Sequence, residues 1–166
     1  MSKLIILKGN SGSGKTTTAK KLLSSLPKGS AMLISQDMVR REILAVDDLP
    51  NNPSLALISE MAKYGNKNFE YVIIEGIFST ARYKQMFEEL YDLFNGNVSS
   101  FYFDISFEET LKRHSGRDKA KEFGEKEMKS WWLEQDRLNF PKEIIISENQ
   151  SQDEVLQLII RNTKGD

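Results

Sequence analysis

Leu4-Ile5-Ile6-Leu7-Lys8-Gly9-Asn10-Ser11-Gly12-Ser13-Gly14-Lys15-Thr16-Thr17 is the stretch on which the fold turns. Its four consecutive apolar residues have the length of a buried strand. Gly9 to Thr16 then fits the pattern G-x-x-x-x-G-K-[ST], and a helix-compatible stretch follows from Thr16 to Leu26. Glycines let the backbone turn its N–H groups inward around phosphate oxygens, and the helix that follows aims its positive N-terminal end at the same anion. Lys15 can reach the β and γ phosphates of a nucleotide, and the Thr16 hydroxyl is placed to ligate Mg²⁺. The spacing therefore predicts a triphosphate-binding site made by Gly9, Asn10, Ser11, Gly12, Ser13, Gly14, Lys15, Thr16 and Thr17. A chance match in a chain of this composition is expected well under about one time in fifty.

Outward from this loop, further apolar runs of strand length occur at Ala31-Met32-Leu33-Ile34, Tyr71-Val72-Ile73-Ile74, Phe101-Tyr102-Phe103 and Ile144-Ile145-Ile146. Between them apolar residues recur three or four apart: Val39, Ile43, Val46; Leu55, Ile58, Met61; Met86, Leu90, Phe94; Met128, Trp131, Gln135, Leu138; Val155, Leu158. These intervals predict amphipathic helices. Asn52 before Pro53, and the pairs Ser106/Glu109 and Ser151/Glu154, are helix start signals. Strands alternating with helices require crossover connections, hence a parallel sheet of about five strands covered on both faces. The expected fold is a three-layer α/β/α sandwich, a P-loop NTPase, in one domain over residues 1–166.

Composition limits the function classes. The 166 residues carry 23 Lys+Arg against 24 Asp+Glu, so no global basic field exists to hold nucleic acid or lipid unselectively. No Cys is present, which removes disulfides, thiolate metal sites and cysteine nucleophiles, and one His, His114, excludes a multi-histidine cage. The apolar run after Met1-Ser2-Lys3 is too short for a leader or a membrane span, so a cytoplasmic protein is expected.

Chemistry beyond nucleotide binding must come from the ends of the other strands, where ligands of open α/β sheets bind. Gln36-Asp37-Met38-Val39-Arg40-Arg41 begins after the second strand. Asp37 can stand beside Arg40 or Arg41 there, and two readings are open: a base accepting the proton of an attacking hydroxyl, or a helix cap. Glu75, ending the third strand, can bind magnesium through water, accept a substrate hydroxyl's hydrogen bond, or be a polar strand end. From Lys112 to Lys121 five basic residues face one acid, which suits a short helical lid at about residues 113–124 closing over transferred phosphate, or else a solvated basic helix end.

Gly9 to Thr16, Asp37-x-x-Arg40 and Val72-Ile73-Ile74-Glu75-Gly76 together resemble the P-loop kinase group that includes the 5′-kinase domain of polynucleotide kinase, zeta toxins and chloramphenicol phosphotransferase. The similarity runs over roughly residues 3 to 120, and the loop is its stringent part. It implies that Asp37 is the general base, that Arg40 contacts the acceptor, that Glu75 contacts substrate, and that lid arginines, here Arg113 and Arg117, stabilise transferred charge. It places adenine between the lid and the loop Ser147 to Ser151, and the acceptor beside the segment Asp47 to Lys67.

The expected activity is transfer of the γ-phosphoryl of ATP, with Mg²⁺, to a hydroxyl of a small-molecule acceptor. Alternatives are a 5′-hydroxyl nucleic-acid kinase, a toxin acting on a nucleotide sugar, and an ATP-dependent switch without an acceptor. Other features receive plainer readings. His114 reads as a surface residue, Trp131 and Trp132 as core packing with one of the two as an alternative cover of the substrate cleft, and Asp47 and Asp48 as loop solvation or else as partners of a hydroxyl-rich or cationic acceptor. Thr163-Lys164-Gly165-Asp166 mimics a guanine-recognition string but reads as a polar C-terminus.

Overall fold

Along β1 (Lys3–Gly9), Leu4 and Ile6 join one hydrophobic cluster while Ile5 and Leu7 join another, and all four are fully buried. That alternation requires cover on both faces of the sheet. In the computed structural model, which describes residues 1–164, the sheet is completed by β2 (Ala31–Ser35), β3 (Tyr71–Gly76), β4 (Val98–Asp104) and β5 (Ile144–Ser147). The strands lie in the order β2-β3-β1-β4-β5, all parallel. Helices α1 (Lys15–Ser25) and α6 (Gln152–Lys164) cover the Ile5 face through Ala19, Leu22, Val155 and Ile159. Helices α2 (Ser54–Asn68) and α3 (Thr80–Leu93) cover the Leu4 face through Ile58, Ala62, Tyr83, Met86, Phe87 and Leu90. This is the expected three-layer P-loop architecture. No helix among the described residues is long and apolar enough to cross a membrane.

The start signals act as their chemistry requires. Asn52 Oδ1 accepts the Ser54 N–H at 3.0 Å, opening α2. Ser106 Oγ accepts the Glu109 N–H at the head of α4 (Phe107–Ser115), and Ser151 and Glu154 form a full reciprocal box on α6. The apparent guanine string lies partly outside the described residues; its Thr163 and Lys164 belong to α6.

Two expected helices are corrected. The Val39, Ile43, Val46 interval gives only a wide π-helical turn, Met38–Ile43, in which Val39 is buried and Ile43 is 54% exposed. Its backbone closes through Leu44 N–H to Val39 O, after which the chain peels away. The Met128 to Leu138 interval gives α5 (Glu125–Ser130) and then a loop, with Gln135 at φ 41 and Asn139 at φ 57. Tertiary hydrogen bonds take the backbone here: Asn10 holds both the N–H and the carbonyl of Leu133, and the buried Lys8 ammonium holds the Asp136 carbonyl. Leu138 still reaches the core, 4% exposed, but from a loop.

Candidate active site

The phosphate loop leaves β1 at the carboxyl edge of the sheet. Gly12 has φ 78, and a Cβ there would lie 2.8 Å from the Thr110 carbonyl; Gly14, at φ 94, turns the chain into α1. Lys15 is buried and donates from Nζ to the Asn10 carbonyl at 3.0 Å. Burial pulls its pKa below the ordinary lysine value, against the opposing charges of Glu75 and Asp37.

Register sets Glu75 beside Leu7 of β1 and Ser35 of β2. Its carboxylate, 2% exposed, accepts the Thr16 hydroxyl at 3.0 Å and the Ser35 hydroxyl at 2.6 Å. No cluster of three or more His, Cys, Asp or Glu able to cage a metal occurs among the described residues. Mg²⁺ needs no cage, since it takes one or two protein oxygens together with phosphates and waters, and the adjacent Thr16 and Glu75 oxygens fit that demand.

Asp37 precedes the π-helical turn, yet its side chain makes no capping hydrogen bond. Its partners are cations instead. Lys119 Nζ lies 3.3 Å from Oδ2, Arg40 Nη2 3.8 Å and Arg41 Nε 3.9 Å from Oδ1. Burial pushes the carboxyl pKa up, but Lys119, Arg41 and Lys15 together hold it below the ordinary aspartate value. Arg40 also donates to the Val46 carbonyl at 2.9 Å, fixing the loop after the turn. Lys119, on a 3₁₀ turn at Asp118–Lys121, was not singled out by sequence; only the basic run around it pointed to this place.

Two cavities meet at Asp37. One, of about 450 Å³, extends from the phosphate loop past Arg113, Arg117 and Lys119 to Ser147, Gln150 and Ser151. The other, of about 710 Å³, is lined by Arg40, Arg41, Asp48, Arg82, Phe123 and Trp131 among others. Ser11, Asp37 and Ile77 line both. Arg113 donates to the Ser13 carbonyl at 3.1 Å while Glu109 holds its Nε at 2.9 Å, which braces the end of α4 against the phosphate loop.

Three plainer readings are corrected here. His114 is buried, 4% exposed; its Nε2 lies 2.8 Å from the Phe123 carbonyl and its ring stacks on Phe123 at 4.5 Å, tying the end of α4 to the chain that follows the 3₁₀ turn. Neither tryptophan is core: Trp131, 38% exposed, packs edge-on to Phe123, and Trp132 packs edge-on to Phe107. Asp48 is no mere solvated loop residue, because Arg82 binds its Oδ2 at 3.0 Å and the Tyr83 hydroxyl its Oδ1 at 2.7 Å.

A family model described as "AAA domain" matches residues 4–141. No curated protein resembles the chain closely enough in sequence to count as a match. Among solved structures, a gluconokinase from Sinorhizobium meliloti 1021 aligns with TM-score 0.69 at 15% identity, over 98% of this chain and 91% of its own. The Mycobacterium tuberculosis APS kinase CysC, solved with AMPPNP and APS, aligns with TM-score 0.65 at 18% identity, over 99% of this chain and 98% of its own. A Pnkp1/Rnl/Hen1 complex aligns with TM-score 0.57 at 27% identity, over 68% of this chain and 38% of that one. With the family model spanning most of its length and the phosphate loop at the edge of its sheet, the chain belongs to the AAA domain family and carries a P-loop.

Proposed function

We propose that the protein is a phosphotransferase that moves the γ-phosphoryl of ATP to a hydroxyl of a small-molecule acceptor. The observation that carries this reading is the position of Asp37 on the wall shared by two cavities, one ending in the phosphate loop and one open to a second reactant. A hydrolytic switch has no need of the second cavity.

The loop N–H groups and Lys15 hold the phosphates, and Mg²⁺ carried by Thr16 and Glu75 supplies charge neutralisation on them when bound. Asp37 accepts the proton of the acceptor hydroxyl as its oxygen attacks phosphorus and the bond to the ADP oxygen breaks. Arg113 and Arg117 neutralise the charge on the transferred oxygens, and Arg40 orients the acceptor loop. The nucleotide's base lies toward Ser147 to Ser151. The second cavity has the volume of a small-molecule site, in line with the near-neutral charge of the chain. A 5′-hydroxyl nucleic-acid end is the second reading, favoured by the 27% identity to the Pnkp1-containing complex.

The test is ATP consumption with and without panels of nucleosides, sugars, nucleotide sugars and 5′-hydroxyl oligonucleotides. Stimulation by one class supports the kinase; turnover indifferent to every alcohol points to the switch. Lys15→Ala is expected to abolish nucleotide binding in equilibrium dialysis, and unchanged affinity contradicts the loop assignment.

Lys119→Gln removes the nearest cation from Asp37, so the carboxyl is expected to titrate at higher pH. The acid limb of the kcat/KM profile then moves upward relative to the parent, while Lys119→Arg restores it. A profile unmoved by Lys119→Gln contradicts the coupling.

A further inference from the structure

Side chains two apart on a strand share a face, and parallel neighbours in register carry that face across the sheet. Ile73 lies in the cluster beneath α1 and Leu33 packs against it. Two residues further on, Glu75 and Ser35 are partners in the β2–β3 register and therefore lie on the α1 side as well. Thr16, in the first turn of α1, arrives there from the phosphate loop. The Glu75 carboxylate is thus caught between two hydroxyls, Thr16 donating to Oε2 at 3.0 Å and Ser35 to Oε1 at 2.6 Å. Glu75 lines the cavity of the phosphate loop and not the second one, so it serves the nucleotide and its metal rather than the acceptor.

A carboxylate that serves a metal must present one oxygen in a fixed direction, and a hydrogen bond to its other oxygen does the fixing. Thr16 is unsuited to that task, because its own hydroxyl oxygen is the one offered to the ion. Ser35 is suited to it. Its bond is the shorter of the two, in the range of strong hydroxyl–carboxylate bonds, and sheet pairing holds its backbone whether or not a nucleotide is present. On the reading that Mg²⁺ and ATP meet at Thr16 and Glu75, we infer that Ser35 is a positioning residue of the metal site, holding Oε1 so that Oε2 stays turned to the Thr16 hydroxyl. Its contribution falls on the Mg²⁺-dependent share of nucleotide binding and not on the share supplied by the loop N–H groups and Lys15.

The test is calorimetry of AMPPNP binding in Mg²⁺ and again in EDTA, without any acceptor, on the parent, Ser35→Ala and Ser35→Thr. Ser35→Ala is expected to bind AMPPNP in EDTA within about twofold of the parent and to lose about tenfold or more of the tightening that Mg²⁺ gives the parent. Ser35→Thr keeps the hydroxyl and is expected to keep the tightening. Affinity in EDTA reports the loop alone, so it also shows that a variant is folded. Ser35→Val, matched to Ser35→Thr in shape, carries the comparison if Ser35→Ala loses the fold. Full tightening in Ser35→Ala, equal losses in Mg²⁺ and EDTA for a folded variant, Ser35→Thr no better than Ser35→Val, or a parent that Mg²⁺ does not tighten overturns the inference. Transfer to an alcohol together with intact tightening in Ser35→Ala leaves the kinase reading standing while this inference fails; tightening lost in Ser35→Ala, without transfer to any acceptor, does the reverse.

Discussion

Asp37→Asn is expected to bind ATP as the parent does and to lose on the order of 10²-fold or more in single-turnover phosphoryl transfer. The amide keeps the size and the place of the carboxylate at the junction of the two cavities but cannot take up the proton of an attacking hydroxyl. Because Lys119, Arg40 and Arg41 surround it, the parent carboxylate is ionised at neutral pH and ready to accept that proton. The loss therefore falls on the chemical step, with nucleotide affinity, measured separately, near that of the parent. Undiminished transfer by the variant removes Asp37 from the chemistry.

The second large effect concerns stability and lies one strand-turn from the loop. Lys8 follows Leu4 and Ile6 on one face of β1 and is 1% exposed, with its ammonium 2.9 Å from Asp136 Oδ2 and over the Tyr102 ring at 5.5 Å. Asp136 Oδ2 also accepts the Thr80 N–H at 2.8 Å, so one carboxylate fastens the loop after α5 to β1 and to the start of α3. Asp136→Ala strands the ammonium in the interior and is expected to cost about 3–5 kcal/mol in chemical denaturation. Lys8→Met removes the buried charge and leaves an aspartate near water, so it is expected to cost less. The double variant is then expected to be more stable than Asp136→Ala alone. Equal costs for the two single variants, added in the double, contradict a desolvated pair.

Burial pushes the Asp136 pKa up, but the Lys8 and Thr80 bonds outweigh it and hold the carboxyl below its ordinary value. Its stabilising contribution is therefore complete above the unfolded-state pKa, near 4. As the pH falls below that value and through the folded pKa the contribution disappears, and the melting temperature falls with it in the parent but far less in Lys8→Met.

The parts of this molecule that local chemistry determines were legible in its sequence. The apolar runs became the five strands, Gly12 and Gly14 took the positive φ that their loop needs, and Ser151 with Glu154 capped α6. Lys15, Thr16, Asp37, Glu75, Arg113 and Arg117 converge at one edge of the sheet because the strand ends and the chain from the end of α4 onward meet there. What escaped depends on partners distant in sequence. Asp136 lies 128 positions from Lys8, and Lys119 lies 82 positions from Asp37. The helix expected through Gln135 fails because the backbone of Leu133 and Asp136 is hydrogen-bonded across the fold, which no periodicity reports. His114 reads as a surface residue from its polar neighbours and is buried by the return of Phe123 over it.

The central claim is that Asp37 takes the proton of an alcohol as that alcohol receives the γ-phosphoryl of ATP. It is tested most directly by incubating the protein with Mg²⁺, γ-labelled ATP and the acceptor panel, with Asp37→Asn in parallel, and weighing the products by mass spectrometry. The account predicts an acceptor heavier by one labelled phosphoryl group, present with the parent and absent with the variant. Label found only in free phosphate, released at the same rate by both proteins, would contradict it.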